Sequence, residues 1–338
     1  MRLVFALPYL LFLQISSVAA ETVWNVSLWG TSRTVTVAIE YLAEEVEKRT
    51  DGALRMVLHF GEAISPSREN IDGIVLNAFE AAHICPSYHP GKTPALGALE
   101  LPFLPLDNMR ASHAVALKAH KHPVIEKELG RFNARVLQHV IAPRFEFMGR
   151  GKPPQDLSDW KGRRVRAPGA IGDGVRAFGG RPTSVPAPEI YTSLERGLFD
   201  AAALPFSDTF ASYRIHEVAS WYTFNLRLAF PSCATIVSRD SWGELTPGQK
   251  RIIEDINSEA YELQFAALEK ADNNYIPEFD SRGLQRIIYE ESVLEQFKKD
   301  TAQPLWDAWI KRNQRRFPAK EYLDFLLEEA AHANAVSG

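Results

Sequence analysis

The segment between Gly162 and Pro205 constrains the fold more than any other part of the chain. It reads GRRVRAPGAIGDGVRAFGGRPTSVPAPEIYTSLERGLFDAAALP. The alternation around Val165 indicates a strand that ends at Arg166, and the Pro168-Gly169 turn stops that strand and opens a helix over 170–178. A short extended run, a second helix start and a strand over 201–204 follow. This alternation of strands and helices is typical of an α/β fold.

Arg166 marks a candidate anion site in this segment. It stands at the carboxyl end of the predicted strand and faces the amino end of the next helix. Backbone N–H groups and a guanidinium that converge at such a point hold a carboxylate or a phosphate. The pattern therefore predicts a binding site and not a catalytic one.

The remaining chain continues the α/β pattern. Residues 23–59 and 69–85 predict a βαβαβ unit, and Pro247 stands in the first turn of a long helix. The predicted strands cover 23–29, 54–59, 81–85, 234–238 and 284–289. Residues 134–142 lead into the second domain. The predicted helices cover 36–49, 69–76, 111–127, 206–216, about 247–275 and 318–332.

Length and composition favour an exported protein of two domains. Arg2, the apolar residues 3–15 and the small residues 18–20 form a signal-peptide pattern with cleavage expected before Glu21, and the apolar stretch is too short for a membrane anchor. The remaining chain of more than 300 residues exceeds what a single core usually serves. Since 38 basic and 42 acidic residues give a net charge of −4, nucleic acid is excluded as the expected partner.

Residues typical of one protein family occur in order along nearly the whole chain after residue 20. They are 45–52 (EVEKRTDG), 101–104 (LPFL), 160–162 (WKG), Arg166, Pro168, Gly169, Pro186, Glu189, Tyr191, Leu194, Gly197, Asp200, Val237, Ser238, Trp242, Leu245 and Thr246. In these residues the chain resembles the solute-binding proteins of tripartite ATP-independent periplasmic (TRAP) transporters, the dicarboxylate-binding-protein-like family.

The resemblance implies a two-lobed periplasmic binding protein fold (type II-like), with a hinge and a long helix that spans both lobes. It implies lobe I from 21–142 plus about 234–273, and lobe II from 143–233 plus about 274–338. It further implies periplasmic capture of a small organic acid for the small and large membrane permease subunits of an ion-gradient-driven transporter. We expect a monomer without a cofactor or metal.

The same resemblance nominates ligand-binding residues. The family clamps the substrate carboxylate with the arginine at the position of Arg166. Arg144 has the spacing of a second cleft arginine in some members, with a salt bridge near the hinge as the alternative. Cys85 and Ala187 match positions that line the pocket in relatives. The aromatic residues that could form walls for a flat ligand, or belong to the core, are Trp29, Tyr88 and Phe206.

Leu204 departs from the family pattern. Many relatives have an asparagine before the proline at this point, whereas this chain has residues 201–204 as AAAL. The loss of an amide removes a polar contact, so we expect a pocket that favours a monocarboxylate with an apolar or aromatic body. The alternative is that Leu204 packs beneath the pocket floor.

The two cysteines and nine histidines give no catalytic or metal signature. Export favours a disulfide, but Cys85 ends a strand at the expected cleft wall, and we expect Cys85 and Cys233 to be free thiols. His113, His120 and His122 are expected on the solvated face of the 111–127 helix. Two other functions stay open at this point: a periplasmic enzyme that acts on a carboxylate through Cys85 and His83, and the ligand-binding subunit of a sensory system.

Overall fold

The computed structural model describes residues 21–337 of the chain. They contain two β-sheets with helices packed around them, which is the mixed α/β class that the sequence predicts. The strands are β1 (Thr22–Ser27), β2 (Leu54–His59), β3 (Ala81–Ile84), β4 (Ala134–His139), β5 (Phe145–Gly149), β6 (Arg164–Arg166), β7 (Arg181–Thr183), β8 (Ala201–Pro205), β9 (Trp221–Thr223), β10 (Ala234–Ser238) and β11 (Gln285–Ile287).

The helices cover the faces of both sheets. They are α1 (Val37–Arg49), α2 (Asn70–Val75), α3 (Met109–His120), α4 (Pro123–Gly130), α5 (Gly169–Ala177), α6 (Ile190–Glu195), α7 (Asp208–Ser212), α8 (Arg239–Glu244), α9 (Pro247–Ser281), α10 (Glu291–Asn313) and α11 (Ala319–Ser337). No helix within 21–337 is long and apolar enough to cross a membrane.

The first sheet has the strand order β2-β1-β3-β10-β4. β1 runs parallel to both β2 and β3, which confirms the predicted βαβαβ unit. β10 pairs antiparallel with β3 and β4, so the chain returns from the second sheet to complete the first. The first sheet and its helices are called the first lobe below.

The second sheet has the strand order β11-β9-β5-β8-β6-β7 and forms the second lobe with its helices. β6 lies parallel between β7 and β8, with Arg166 opposite Thr183 and Ala202. This arrangement confirms the α/β unit predicted from 162–205. The sequence analysis did not predict β5, since its five residues are all buried and show no alternation of polar and apolar side chains.

Helix α9 connects the two lobes. Its 35 residues span roughly 52 Å at 1.5 Å per residue, and a capping box between Thr246 and Gln249 fixes its start. Ile256 belongs to the core of the first lobe, whereas Phe279 packs against Tyr222 in the core of the second. The long helix across both lobes is thereby confirmed.

Two helix predictions need correction, and one helix was not predicted. The helix expected over 111–127 is two helices, because Pro123 starts α4 and the His122 side chain accepts a hydrogen bond from the Val124 backbone N–H. The helix expected over 206–216 is the shorter α7. Helix α10 was missed, since it is largely exposed, contains Pro304 and lacks a clear apolar stripe.

The predicted lobe boundaries stay a prediction. The position of the last helix is relevant to these boundaries. Helix α11 packs against α3 of the first lobe through Tyr322 and Leu326. The chain therefore passes between the lobes again after β11.

Candidate ligand-binding site

A cavity of about 60 Å³ lies between the two lobes, where the loops after the carboxyl ends of β1, β3, β6 and β8 meet. Such a position is the usual ligand site of open α/β sheets. Its lining residues are Trp29, Arg33, Val35, Cys85, Ser87, Tyr88, Val140, Ala142, Phe145, Arg166, Pro168, Ala187, Leu204, Pro205, Thr209 and Tyr213.

A larger groove of about 640 Å³ lies beside β4 and α9. It is lined from the first lobe and α9, and Arg166 is not part of it.

Arg166 is held rigidly at the centre of this arrangement. Its side chain is buried, with 2% of its surface exposed. Nε donates to the Val185 carbonyl at 2.9 Å, Nη1 to the Ala203 carbonyl at 2.8 Å and Nη2 to the Tyr88 hydroxyl at 3.2 Å. A guanidinium carries five N–H groups. These bonds therefore leave one N–H on Nη1 and one on Nη2 for a bound carboxylate.

The charge of Arg166 is uncompensated by a direct ion pair within the described part of the chain. Burial lowers the pKa of Arg166, and Tyr88 partly offsets this effect. The charge of Arg166 acts on Glu100, which is itself buried, and burial raises the pKa of Glu100 to about 7. An arginine stays protonated in such surroundings. The cavity therefore presents a desolvated positive charge.

Tyr88 joins the two lobes beside this charge. It follows β3 in the first lobe, and its hydroxyl oxygen accepts from Arg166 and from the Ala187 backbone N–H at 2.9 Å. Since both bonds use the oxygen as the acceptor, the O–H proton can be donated to a ligand. Arg166 and Tyr88 thus offer converging donors from both lobes.

The turn after β6 fits closely against the first lobe. Gly169 has φ +58°, and a Cβ at this position would lie 2.8 Å from the Ser87 Cβ. The predicted start of a helix next to Arg166 is observed, since α5 begins at Gly169. Only glycine combines this backbone conformation with so short a distance.

The walls of the cavity are mainly apolar and aromatic. Trp29 and Tyr88 pack edge to face with ring centroids 5.5 Å apart, and Leu204 and Ala187 are buried at 2% and 5% exposure. Six of the eight predicted site residues line the cavity: Trp29, Cys85, Tyr88, Arg166, Ala187 and Leu204.

Arg144 and Phe206 are placed outside the cavity. Arg144 lies over the Phe230 ring at 4.7 Å, donates to the Leu106 carbonyl and borders a separate groove. Phe206 stacks on Tyr222 with ring centroids 5.7 Å apart. Both residues therefore contribute to packing near the connection between the lobes.

The expectation of free thiols is wrong, because Cys85 and Cys233 form a disulfide. Cys85 follows β3 and Cys233 precedes β10. These strands pair antiparallel with Ala234 opposite Ile84, which brings the two cysteine Cα atoms to 4.1 Å. The Cys85 sulfur thus forms part of the cavity wall but offers no thiolate.

His83 is buried, and its pKa is lowered. It is fully buried against Trp29, with ring centroids 4.5 Å apart. Burial, followed by the charge of Arg33, lowers the pKa of His83 to about 3. The pairing of Cys85 with His83 as a nucleophile and its base therefore lacks support in this structure.

Two histidines expected on a solvated face are partly buried. His113 and His120 pack around His139, and burial lowers the pKa of His113 to about 4 and that of His120 to about 3. Within residues 21–337, no group of three or more His, Cys, Asp or Glu side chains could hold a metal ion.

Four polar lining residues were not predicted from the sequence: Arg33, Ser87, Thr209 and Tyr213. Arg33 lies in the loop after β1, and its Nη1 donates to the carbonyls of Trp29 at 2.9 Å and Thr31 at 2.7 Å. Its position in a loop after the carboxyl end of a parallel strand is the sequence signal that could have identified Arg33 as a lining residue. Nothing local to the sequence marks Thr209 or Tyr213.

The comparisons with known proteins agree with this architecture. Residues 26–313 match the family model described as bacterial extracellular solute-binding protein, family 7. A solute-binding protein of Albidiferax ferrireducens is 24% identical, covering 82% of this chain and 81% of its own length. A monocarboxylate 2-oxoacid-binding periplasmic protein of Nostoc is 23% identical, covering 80% and 74%.

A solved structure has the same fold. It is a TRAP solute-binding protein of Rhodoferax ferrireducens in complex with copurified benzoate. It superposes with a TM-score of 0.82 at 18% identity, covering 94% of this chain and all of the other.

Proposed function

Because the chain belongs to family 7 of the bacterial extracellular solute-binding proteins, we propose that it captures a small organic acid outside the inner membrane. It then delivers the acid to the small and large permease subunits of a TRAP transporter driven by an ion gradient. The observation that supports this function best is Arg166, a buried cation with two N–H groups left for a ligand.

The mechanism of capture is the pairing of a desolvated charge. A ligand carboxylate accepts from the remaining Nη1 and Nη2 hydrogens of Arg166 in a bidentate geometry. Closure of the two lobes removes water and strengthens the pair. Removing one partner of such a buried pair costs about 3–5 kcal/mol. This is a large part of the roughly 8 kcal/mol of micromolar binding.

The apolar wall favours a monocarboxylate with an apolar or aromatic body. Leu204 and Ala187 stand beside Arg166 in the cavity lining, and benzoate is bound by the solved relative from Rhodoferax ferrireducens. A hydroxyl-rich sugar acid would leave polar groups unpaired against these side chains, at roughly 1–3 kcal/mol each. Leu204→Asn should shift the preference towards polar acids.

The two other functions have less support. The family consists of solute-binding proteins of transport systems, and the disulfide removes the Cys85 thiolate that a catalytic role would need. A sensory role would use the same closed form. Uptake measurements distinguish a sensory role from a transport role. If the chain serves transport, cells that lack it should lose uptake of the acid.

The proposal includes export to the periplasm as a monomer. The predicted signal peptide, residues 1–20, lies outside the described residues. Mass spectrometry of the periplasmic protein should find Glu21 at the amino terminus, whereas an intact Met1 in the membrane fraction would contradict export with cleavage.

Calorimetry with arginine variants tests the function. After a thermal-shift screen of carboxylates has found a ligand, Arg166→Ala should weaken its binding at least about a hundredfold, or 2.7 kcal/mol. Arg166→Lys should also fail, because an ammonium cannot form the two parallel bonds.

The matched control is Arg164→Ala. Arg164 belongs to the same strand, but it is exposed and paired with Asp200 at 2.7 Å. Its removal should leave ligand affinity unchanged. Equal affinity of the Arg166→Ala variant and the unaltered protein would refute the site.

A further inference from the structure

Three residues that line the cavity carry buried polar atoms without a partner. They are Arg33 through Nε, Thr209 through Oγ1 and Tyr213 through its hydroxyl oxygen. Buried polar groups in folded proteins nearly always have a hydrogen-bond partner. The coincidence of three such atoms in one cavity lining therefore indicates that a bound molecule supplies the partner.

The three side chains come together from both lobes. Thr209 and Tyr213 are four residues apart at α7, so they lie on the same side of this helical turn. Arg33 comes from the first lobe, and its guanidinium carbon lies 5.6 Å from the centre of the Tyr213 ring. Gly30 allows this approach, because a Cβ there would lie 2.4 Å from the Tyr213 hydroxyl oxygen.

The chemistry of this cluster is that of hydrogen-bond donors. Arg33 Nε can only donate, and both hydroxyl groups can donate. The matching ligand group is an oxygen that accepts hydrogen bonds. Arg166, by contrast, retains a pair of N–H groups suited to a carboxylate.

A second carboxylate fits the cluster less well than a neutral oxygen. Asp208 adjoins Thr209 in sequence, is buried at 3% exposure and accepts from Thr34 Oγ1 at 2.5 Å. Burial raises the pKa of Asp208, and the Thr34 hydrogen bond and the charge of Arg33 oppose this shift. Asp208 and Arg33 therefore interact electrostatically. A further anion beside Asp208 would meet like-charge repulsion.

We infer that the ligand is a small monocarboxylate that carries one additional oxygen, as an oxo or hydroxyl group on an otherwise apolar body. This inference rests on the proposed function, since it assigns the carboxylate to Arg166. It adds that Arg33, Thr209 and Tyr213 select the second oxygen. The apolar remainder of the lining would leave the several hydroxyl groups of a sugar acid without partners.

The test compares acids that differ by one oxygen. Calorimetry should measure butyrate against 2-oxobutyrate, and benzoate against 3-hydroxybenzoate. For at least one pair, the oxygenated acid should bind about tenfold or more tightly to the unaltered protein, which corresponds to 1.4 kcal/mol. Tyr213→Phe, Thr209→Val and Arg33→Gln should each reduce that preference, because each should weaken binding of the oxygenated acid more than binding of the plain acid.

The control is Tyr41→Phe, which removes a hydroxyl that binds Glu259 at the surface. It should retain the full preference. If one variant does not fold, as judged by its thermal melting curve, the other two still test the cluster.

Each outcome has a distinct meaning. Equal binding of plain and oxygenated acids, with loss of both in Arg166→Ala, would overturn this inference and leave the proposed function standing. A preference that persists in all folded variants would also overturn it. Failure of every carboxylate to bind the unaltered protein would refute the proposed function and this inference together.

Discussion

Removing the Cys85–Cys233 disulfide should lower the free energy of unfolding by about 5 kcal/mol at 25 °C. The two cysteines are 148 residues apart in sequence. In the chain-entropy model, closing a loop of this length reduces the entropy of the unfolded chain by about 17 cal/mol/K. The magnitude is large because the crosslink joins β3 to β10, which are distant in the chain and adjacent in the first sheet.

Urea unfolding measures this contribution directly. Oxidised and dithiothreitol-reduced protein should differ in midpoint by about 1.7 M if the slope is near 3 kcal/mol/M. The Cys85→Ala/Cys233→Ala double variant is the control, since its midpoint should resemble that of reduced protein and should not respond to reductant. Identical midpoints before and after reduction, with free thiols demonstrated by titration, would refute the argument.

Two further predictions concern the close contact between the lobes at Gly169 and the partly buried His120. Gly169→Ala should weaken ligand binding about tenfold, because a left-handed alanine costs about 1–2 kcal/mol and its Cβ would lie 2.8 Å from the Ser87 Cβ. Calorimetry should show no such loss for Gly97→Ala, where the added Cβ would lie 3.7 Å from Pro86. Acid should destabilise the protein through His120, whose pKa is about 3 when folded and 6.5 when unfolded: its contribution is present above pH 6.5 and is lost as the pH falls, by about 1.4 kcal/mol per unit. Urea midpoints at pH 7, 6 and 5 should depend less on pH in His120→Leu than in a variant of the exposed His332, and equal slopes would contradict the prediction.

The elements predicted correctly are those whose signals are local. The strands and helices of residues 22–84 follow from apolar periodicity and turn residues. The start of α9 follows from Thr246 and Pro247. β5 and α10 were not predicted. β5 is buried throughout and α10 is mostly exposed, so neither shows a periodic pattern of apolar residues.

The sequence by itself determined that Arg166 ends a strand before a glycine turn. Five other residues that the sequence analysis named line the same cavity: Trp29, Tyr88, Cys85, Ala187 and Leu204. Only the tertiary structure decided which other groups meet there. The Cys85–Cys233 bond depends on β10 inserting between β3 and β4, and the cluster of Arg33, Thr209 and Tyr213 depends on contact between the lobes. The physical reason is that strand and turn preferences act over a few residues, whereas sheet order and lobe closure bring together side chains from distant parts of the chain.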